Sequence, residues 1–311
     1  HHIVDWDPPP SGSMFRFSQH LSVNNAFALR GLLNLAEIAG ILNRTEMEAQ
    51  YRSEAANLQK AMQTQMWNAS AGMYCDGACK DTPHTGVTTN SFTLYTDLVP
   101  EDSIKTAWEQ AAGYGLEGTG DYGAYIWLAA QNKYAGDDGS VMLHALTKCD
   151  HSSWCGELTQ GLDGTNATMT RETWAGGTYS HGWGTGAIVG VAGGLMGITQ
   201  TAPAFANFTV APRIATIDKA VVRVPTLRGA ISVEANKTHT IVGVPCGASA
   251  RVCVPHHLNP SDGNSVAAKV LVLDGEEIER GRAVVHPAGR HLCVDGVGCG
   301  ANGANRTLTL V

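Results

Sequence analysis

The sequence lacks the features that mark several large classes of protein. No apolar run is long enough to cross a bilayer, because the longest candidate, residues 182–198, is interrupted by glycines and by Thr185. Lysines and arginines form no cluster, and the formal net charge of the 311 residues is −7. This charge balance argues against nucleic acid or an anionic membrane surface. We therefore expect neither a membrane nor a nucleic acid as partner.

Motifs for nucleotide binding, serine hydrolysis and metal catalysis are also missing. Gly184-Thr-Gly186 with Gly190 does not have the spacing of a dinucleotide-binding Gly-x-Gly-x-x-Gly and follows no predicted strand. The chain has no Gly-x-Ser-x-Gly elbow, no Walker sequence and no His-Glu-x-x-His. The sequence therefore predicts no cofactor and no metal.

The eight cysteines do not have the Cys-x-x-Cys spacing of a zinc site. Their even number and close spacing favour four short-loop disulfides. In the loop-entropy model each short bridge contributes about 2 kcal/mol, so these bridges would fix turns and not the whole fold. The predicted pairs are Cys75–Cys79, Cys149–Cys155, Cys246–Cys253 and Cys293–Cys299.

Six Asn-x-Ser/Thr sequons accompany the paired cysteines, and together they favour passage through a secretory pathway. The first residues, His1 to Trp6, lack the charged start and apolar core of a signal peptide, so we expect the chain to begin downstream of one. The predicted localisation is secreted or extracellular. The predicted N-glycosylation sites are Asn43, Asn68, Asn166, Asn207, Asn236 and Asn305.

The first two thirds of the chain have helical periodicity. Apolar residues recur three and four apart from Ser22 onward, and Thr45-Glu-Met-Glu48 has the pattern of a capping box that opens a second helix. Residues 68–88 are predicted to form an irregular loop. Further helices are predicted at residues 91–98, 103–112, 121–134 and 139–146, and the short loops between them favour a toroid of paired helices.

Beyond about residue 201 the pattern changes to short β-branched and alternating runs separated by Gly, Asn and Pro turns. This pattern predicts an antiparallel β-sandwich. The predicted fold class is therefore α plus β and multidomain, with a helical domain over residues 1–201 and a sandwich over residues 202–311.

Residues 168–186 combine acid, base and aromatic side chains before an apolar run. Glu172 and His181 can bind hydroxyl groups, while Trp174, Tyr179 and Trp183 offer flat faces for sugar rings. Each residue also has an ordinary structural interpretation. Glu172 can pair with the adjacent Arg171, His181 can cap a helix, and the aromatic rings can be packing residues.

The same segment resembles a known family. Glu172-Thr-Trp174 followed by Thr-Tyr-Ser-His-Gly-Trp-Gly-Thr (residues 178–185), entering a helix predicted over residues 186–198, is similar to the closing motif of the α-L-rhamnosidases of glycoside hydrolase family 78. Residues 204–212 and 225–233 resemble that family's passage into its C-terminal β-domain. The resemblance implies that residues 1–201 are the second half of an (α/α)6 six-hairpin catalytic barrel.

The resemblance also implies roles for single residues. Glu172 matches the general base of an inverting glycosidase, and His181 matches a histidine that binds the sugar. Trp174, Trp183 and Tyr179 are expected to line the subsite, and Trp6 is a looser candidate for the same wall.

The general acid of this family lies in an upstream motif that the chain does not contain. Glu117, Asp121 and Glu157 are the carboxylates that could replace it, and none carries a specific signal. We therefore expect the acid to come from an upstream segment or from a separate N-terminal companion chain.

The sequence thus predicts a secreted, α-L-rhamnosidase-like, inverting glycoside hydrolase that releases terminal α-L-rhamnose from a rhamnose-containing glycoside or polysaccharide. The alternative is a catalytically inactive protein on the same fold, with a glycan-binding or an extracellular structural and assembly role. A related barrel hydrolase that acts on another sugar is a third hypothesis.

Overall fold

The computed structural model of the chain describes residues 16–134, 138–160, 169–174, 176–214, 216–255, 271–278, 283–285 and 291–310. Trp6 and the sequon at Asn166 lie outside these residues. The chain divides into two compact units. The first contains His1–Ala135 and Ala145–Ala187, and the second contains Gly136–His144 and Ile188–Val311. This division lies earlier in the chain than the boundary predicted near residue 202.

Helices dominate the first unit, as the periodicity predicts. They are α1 (Ser22–Ile41), α2 (Thr45–Gln65), α3 (Val87–Tyr95), α4 (Ile104–Tyr114), α5 (Asp121–Tyr134), α6 (Ser140–Thr147), which continues from the second unit into the first, and α7 (Trp154–Gln160), with 3-10 turns at Glu101–Ser103 and Gly115–Gly118. The predicted irregular loop contains a short antiparallel hairpin of β1 (Trp67–Asn68) and β2 (Met73–Tyr74).

The two helices predicted from Ser22 and from Thr45 are confirmed as α1 and α2, which pack against each other. The capping box predicted at Thr45 is wrong. Thr45 is the first residue of α2, and no side chain caps that helix end. Glu48 binds Arg52 one turn further on, through contacts of 2.7 and 2.9 Å, instead of reaching back to the backbone.

Helix α3 begins four residues before its predicted start. Residues Val87 to Leu94 are all buried, including five polar ones: Thr88, Thr89, Asn90, Ser91 and Thr93. Tertiary hydrogen bonds make the burial of two of them possible: Asn90 accepts from the backbone of Tyr74 at 2.9 Å and donates to it at 3.0 Å, and Thr89 donates to the carboxylate of Asp76 at 2.6 Å. These are tertiary contacts, which periodicity cannot reveal.

The second unit contains two sheets. In chain order the strands are β5 (Ile198–Gln200), β6 (Asn207–Val210), β7 (Ala220–Thr226), β8 (Gly229–Ala235), β9 (His239–Gly243), β10 (Ser249–Pro255), β11 (Leu271–Leu273), β12 (Glu276–Glu277), β13 (Ala283–Val285), β14 (His291–Val297) and β15 (Arg306–Leu310). One sheet has the order β13-β14-β10-β6-β5 and the other β12-β11-β15-β9-β8-β7.

The two sheets share one apolar core, which makes this unit the predicted sandwich. Phe208 and Val252 from one sheet and Val233 and Val242 from the other belong to the same buried cluster. Among the described strands the pairings are antiparallel except that of β6 with β10, which is parallel. Pro225 lies in β7 at a sheet edge, where its missing N–H costs no ladder hydrogen bond.

Two of the four predicted disulfides are confirmed, Cys75–Cys79 and Cys149–Cys155. The other two predictions, Cys246–Cys253 and Cys293–Cys299, are wrong. Cys253 pairs with Cys293, which lies directly opposite it in the β10–β14 ladder with the Cα atoms 4.0 Å apart. Because those strands are antiparallel, the residues before β10 lie beside those after β14, and Cys246 pairs with Cys299.

The helix predicted over residues 186–198 is replaced by three short pieces. A 3-10 turn at Gly182–Gly186 leads into one helical turn, Ala187–Val189, and then into a π-helix, Gly190–Leu195. Glycine at three of the six π-helical positions lowers the preference for regular α-helix. None of the helices among the described residues has the length and apolar character to cross a bilayer.

Candidate active site

Glu172 lies on a small hairpin of the first unit. Strand β3 (Arg171–Thr173) pairs antiparallel with β4 (Gly176–Tyr179), with Arg171 opposite Tyr179 and an irregularity between Arg171 and Thr173. The backbone at Gly177 has φ +82°, which favours glycine. A Cβ on Gly177 would lie 2.7 Å from Cβ and 2.9 Å from Oε2 of Glu172. Glycine at this position therefore leaves room for the carboxylate.

The carboxylate of Glu172 is held by one residue of the opposite strand. Oε2 accepts hydrogen bonds from the backbone N–H and from the hydroxyl of Thr178, each at 3.1 Å. The backbone hydrogen bond, then the hydroxyl, and to a smaller extent the nearby His181 ring hold the pKa of Glu172 below its usual range. Glu172 is therefore ionised at neutral pH, as a general base must be.

The ring of His181 is connected to the same threonine. Its Nδ1 lies 2.8 Å from the hydroxyl oxygen of Thr178. His181 occupies the position before the Gly182–Gly186 turn, but its side chain makes no capping hydrogen bond. The capping interpretation is thus wrong, and the structure brings His181 together with Glu172 through Thr178.

Two of the predicted aromatic residues are exposed beside this group. Trp183 is 39% exposed, and its ring centroid lies 4.5 Å from that of His181. Its other neighbour is Tyr122 of α5 at 5.2 Å, a residue that the sequence gave no reason to select. Tyr179 is 55% exposed and covers the guanidinium of Arg171 at 5.4 Å. Open aromatic rings of this kind can contact the apolar face of a sugar.

Trp174 has a different environment. Its indole N–H donates to the carbonyl of Thr119 at 2.9 Å, and its ring packs edge-on against Trp154 at 5.3 Å. Trp154 in turn donates to the carbonyl of Gly184 at 2.7 Å. The two tryptophans thus tie the site segment to the loop before α5 and to helix α7. A direct contact of Trp174 with substrate stays a prediction.

The three carboxylates considered as the acid are either buried or paired with a lysine. Asp121 and Glu157 are only 1% and 3% exposed, so a sugar cannot reach them. Burial raises the pKa of Glu157, against the opposing effects of its neighbours Arg171 and Asp121. Glu117 is exposed and lies 4.0 Å from Lys148. Arg171 is itself 1% exposed and is a neighbour of Glu157, so this acid contacts the strand that carries Glu172.

The described part of the chain contains no group of three His, Cys, Asp or Glu residues that could hold a metal ion. The sequons that the structure describes have solvent-accessible asparagines: Asn43, Asn207 and Asn305 are exposed, while Asn68 and Asn236 are partly buried. Glycosylation at these sites stays a prediction.

The close contact at Gly177 leads to a first prediction. Gly177→Ala should lower the activity of the complete protein on its substrate by about 10²-fold, because the new Cβ displaces the carboxylate of Glu172. The matched control is Gly275→Ala. Gly275 also has positive φ, at +88°, but a Cβ there meets no atom within 4 Å. Equal losses of activity in the two variants would refute a specific contact with Glu172.

Comparison with known proteins gives matches to both parts of the chain. Residues 1–187 match the bacterial alpha-L-rhamnosidase 6 hairpin glycosidase domain, and residues 197–267 match the bacterial alpha-L-rhamnosidase C-terminal domain. No curated protein matches.

Solved structures share the fold at low sequence identity. Alpha-L-rhamnosidase from Dictyoglumus thermophilum has a TM-score of 0.72 at 17% identity over 91% of this chain and 31% of its own. The Streptomyces avermitilis alpha-L-rhamnosidase, complexed with L-rhamnose, has a TM-score of 0.65 at 17% identity over 93% of this chain and 26% of its own. The Aspergillus terreus alpha-L-rhamnosidase has a TM-score of 0.62 at 18% identity over 92% of this chain and 30% of its own. The chain thus spans less than a third of these relatives.

Proposed function

Because the chain belongs to the bacterial α-L-rhamnosidase six-hairpin glycosidase family, we propose that it carries the general base of an inverting α-L-rhamnosidase. The observation that supports this proposal most directly is the carboxylate of Glu172, held through Oε2 by Thr178 beside His181 and the exposed ring of Trp183. The proposed substrate is a terminal α-L-rhamnose on a glycoside or polysaccharide, the sugar bound in the Streptomyces relative.

Inversion requires two carboxyl groups with separate tasks. The ionised one takes a proton from water as the water oxygen attacks the anomeric carbon, and the protonated one gives a proton to the leaving oxygen. The two stand roughly 6.5–9.5 Å apart so that the water fits between substrate and base. We assign the first task to Glu172.

We propose that the acid comes from an upstream segment or a companion chain. Asp121 and Glu157 are buried, and Glu117 is paired with Lys148. The small share of each relative that this chain spans supports the same view. The four disulfides and the sequons support an extracellular location, because disulfides persist in oxidising compartments.

The test is hydrolysis of an aryl α-L-rhamnoside by the complete natural protein, with the anomer of the released sugar read by NMR. The expected product is rhamnose released with inverted anomeric configuration. The lowered pKa of Glu172 sets the acid side of the pH profile. Because the ionised form is the active one, activity should persist to a lower pH than an ordinary glutamate would allow.

A matched panel of aryl glycosides of other sugars is the control for specificity. Retained anomeric configuration in the product would refute the assignment of Glu172 as the general base that takes a proton from the attacking water. Cleavage of another glycoside in preference to the rhamnoside would support a related hydrolase instead. Absence of any turnover, with sugar binding retained, would support the inactive glycan-binding alternative.

A further inference from the structure

Thr178 is the shared partner of the two polar groups in the candidate site. Its hydroxyl oxygen lies 3.1 Å from Oε2 of Glu172 and 2.8 Å from Nδ1 of His181. A hydroxyl has one proton to donate and two lone pairs that accept. The direction of each hydrogen bond therefore follows from what the two neighbours can donate.

An ionised carboxylate can only accept. The hydroxyl proton of Thr178 must point to Oε2 of Glu172, since the opposite orientation would set an oxygen lone pair against the carboxylate at 3.1 Å. The contact at 2.8 Å then requires a proton on Nδ1 of His181. In the neutral ring this tautomer leaves Nε2 unprotonated, with a lone pair that accepts.

The same threonine also distinguishes the two oxygens of Glu172. Its N–H and hydroxyl both donate to Oε2, whereas Oε1 has no hydrogen bond among the described residues. Oε1 is therefore the oxygen that is free to take a proton. The site presents two acceptors, Oε1 of Glu172 and Nε2 of His181, which suit the O–H groups of water and sugar.

We propose that Thr178 is a positioning residue that fixes which oxygen of Glu172 acts as base and which nitrogen of His181 accepts from the ligand. The proposal rests on the proposed function of Glu172 for its catalytic meaning. The arrangement of protons can be measured without catalysis.

Other ionisable groups surround the hairpin of β3 and β4, and their electrostatic effect on Glu172 and His181 is the same in all Thr178 variants. Arg171 and Tyr179 lie on its strands, and Tyr122 of α5 lies beside Trp183. Glu157 is a neighbour of the buried Arg171, and Asp121 is a neighbour of Glu157. Because none of these groups is bonded to Thr178 among the described residues, removal of its hydroxyl isolates the connection between Glu172 and His181.

The experiment is ¹⁵N NMR of the histidine rings in the full chain at neutral pH. His181→Gln identifies the signal of His181 among the 12 histidines. We expect the Nδ1–H tautomer in the natural protein and in Thr178→Ser, which keeps the hydroxyl. Thr178→Val keeps the shape of the side chain and the backbone N–H but lacks the hydroxyl. This variant should shift the tautomer equilibrium of the His181 ring towards Nε2–H. Thr199→Val, in an exposed part of β5, is the control.

The proposal would be overturned if Nε2–H were the main tautomer of His181 in the natural protein. An unchanged His181 tautomer in Thr178→Val would also overturn it. A second readout is turnover of an aryl rhamnoside by the complete protein. Loss of a hydrogen bond to a charged group predicts a decrease of about 10- to 100-fold in kcat/KM for Thr178→Val. The acid side of its pH profile should also move to higher pH, and serine should restore both.

A purely structural role of Thr178 would lower activity without moving the tautomer or the pH profile, and this outcome also overturns the proposal. The tautomer is measured without turnover. An inactive complete protein would therefore refute the proposed function while the NMR result decides the role of Thr178 on its own.

Discussion

Glu172→Gln should reduce kcat on an aryl α-L-rhamnoside by about 10²–10⁴-fold, the contribution of a positioned general base. The amide cannot take the proton of the attacking water. Its oxygen can still accept from the N–H and hydroxyl of Thr178, so the hairpin of β3 and β4 should keep its structure. The measurement is kcat of the complete protein, with the melting temperature as a check on folding.

The matched control is Glu109→Gln. Glu109 lies on α4 with an exposed side chain, and in the part of the chain that the structure describes its ion pair is with Lys105 at 3.7 Å. Surface ion pairs of this kind contribute little, so this variant should keep its activity and stability. A Glu172→Gln protein with natural turnover would show that another group acts as the base.

Replacement of Cys246 and Cys299 by serine should lower the free energy of unfolding of the second unit by about 3 kcal/mol in the loop-entropy model. The bridge joins residues 53 positions apart, but the remaining Cys253–Cys293 bridge still closes 40 of these positions, so its loss frees a loop of about 13 residues in the unfolded chain. The short pairs predicted from the sequence would each contribute only about 2 kcal/mol. The measurement is unfolding in urea followed by circular dichroism of the sheets.

A thiol titration of the same variant tests the pairing itself. With Cys253 joined to Cys293, the protein should contain no free thiol after both serine substitutions. The pairing Cys246–Cys253 and Cys293–Cys299 would instead leave two free thiols, and their detection would contradict the structure. The variant lacking Cys149 and Cys155 is the comparison for a short bridge, with an expected cost of about 2 kcal/mol.

Local patterns were sufficient for the parts of the protein whose contacts are close in sequence. The 3.6-residue periodicity located α1, α2 and α5, and the β-branched runs located the strands of the sandwich. The disulfides of Cys75–Cys79 and Cys149–Cys155 were also predictable, since four- and six-residue separations bring the sulfurs together without help from the fold.

Patterns failed where a distant partner decides the structure. Helix α3 carries polar residues that are helical and buried because Tyr74 and Asp76 bind Asn90 and Thr89. The register of β10 against β14 places Cys253 opposite Cys293, and the spacing of the cysteines contains no information on that register. Side-chain burial at Asp121 likewise depends on packing and not on its position at a helix start.

The sequence by itself determined the family and the candidate base, because the motif around Glu172 and His181 is contiguous and specific enough to be recognised in the linear chain. Only the tertiary structure decided that Thr178 joins these two side chains, that Tyr122 lies against Trp183, and that Asp121 and Glu157 are buried. The physical reason is that charge state, proton position and accessibility depend on atoms brought together across strands and helices. A linear pattern records which groups are present but not which of them meet.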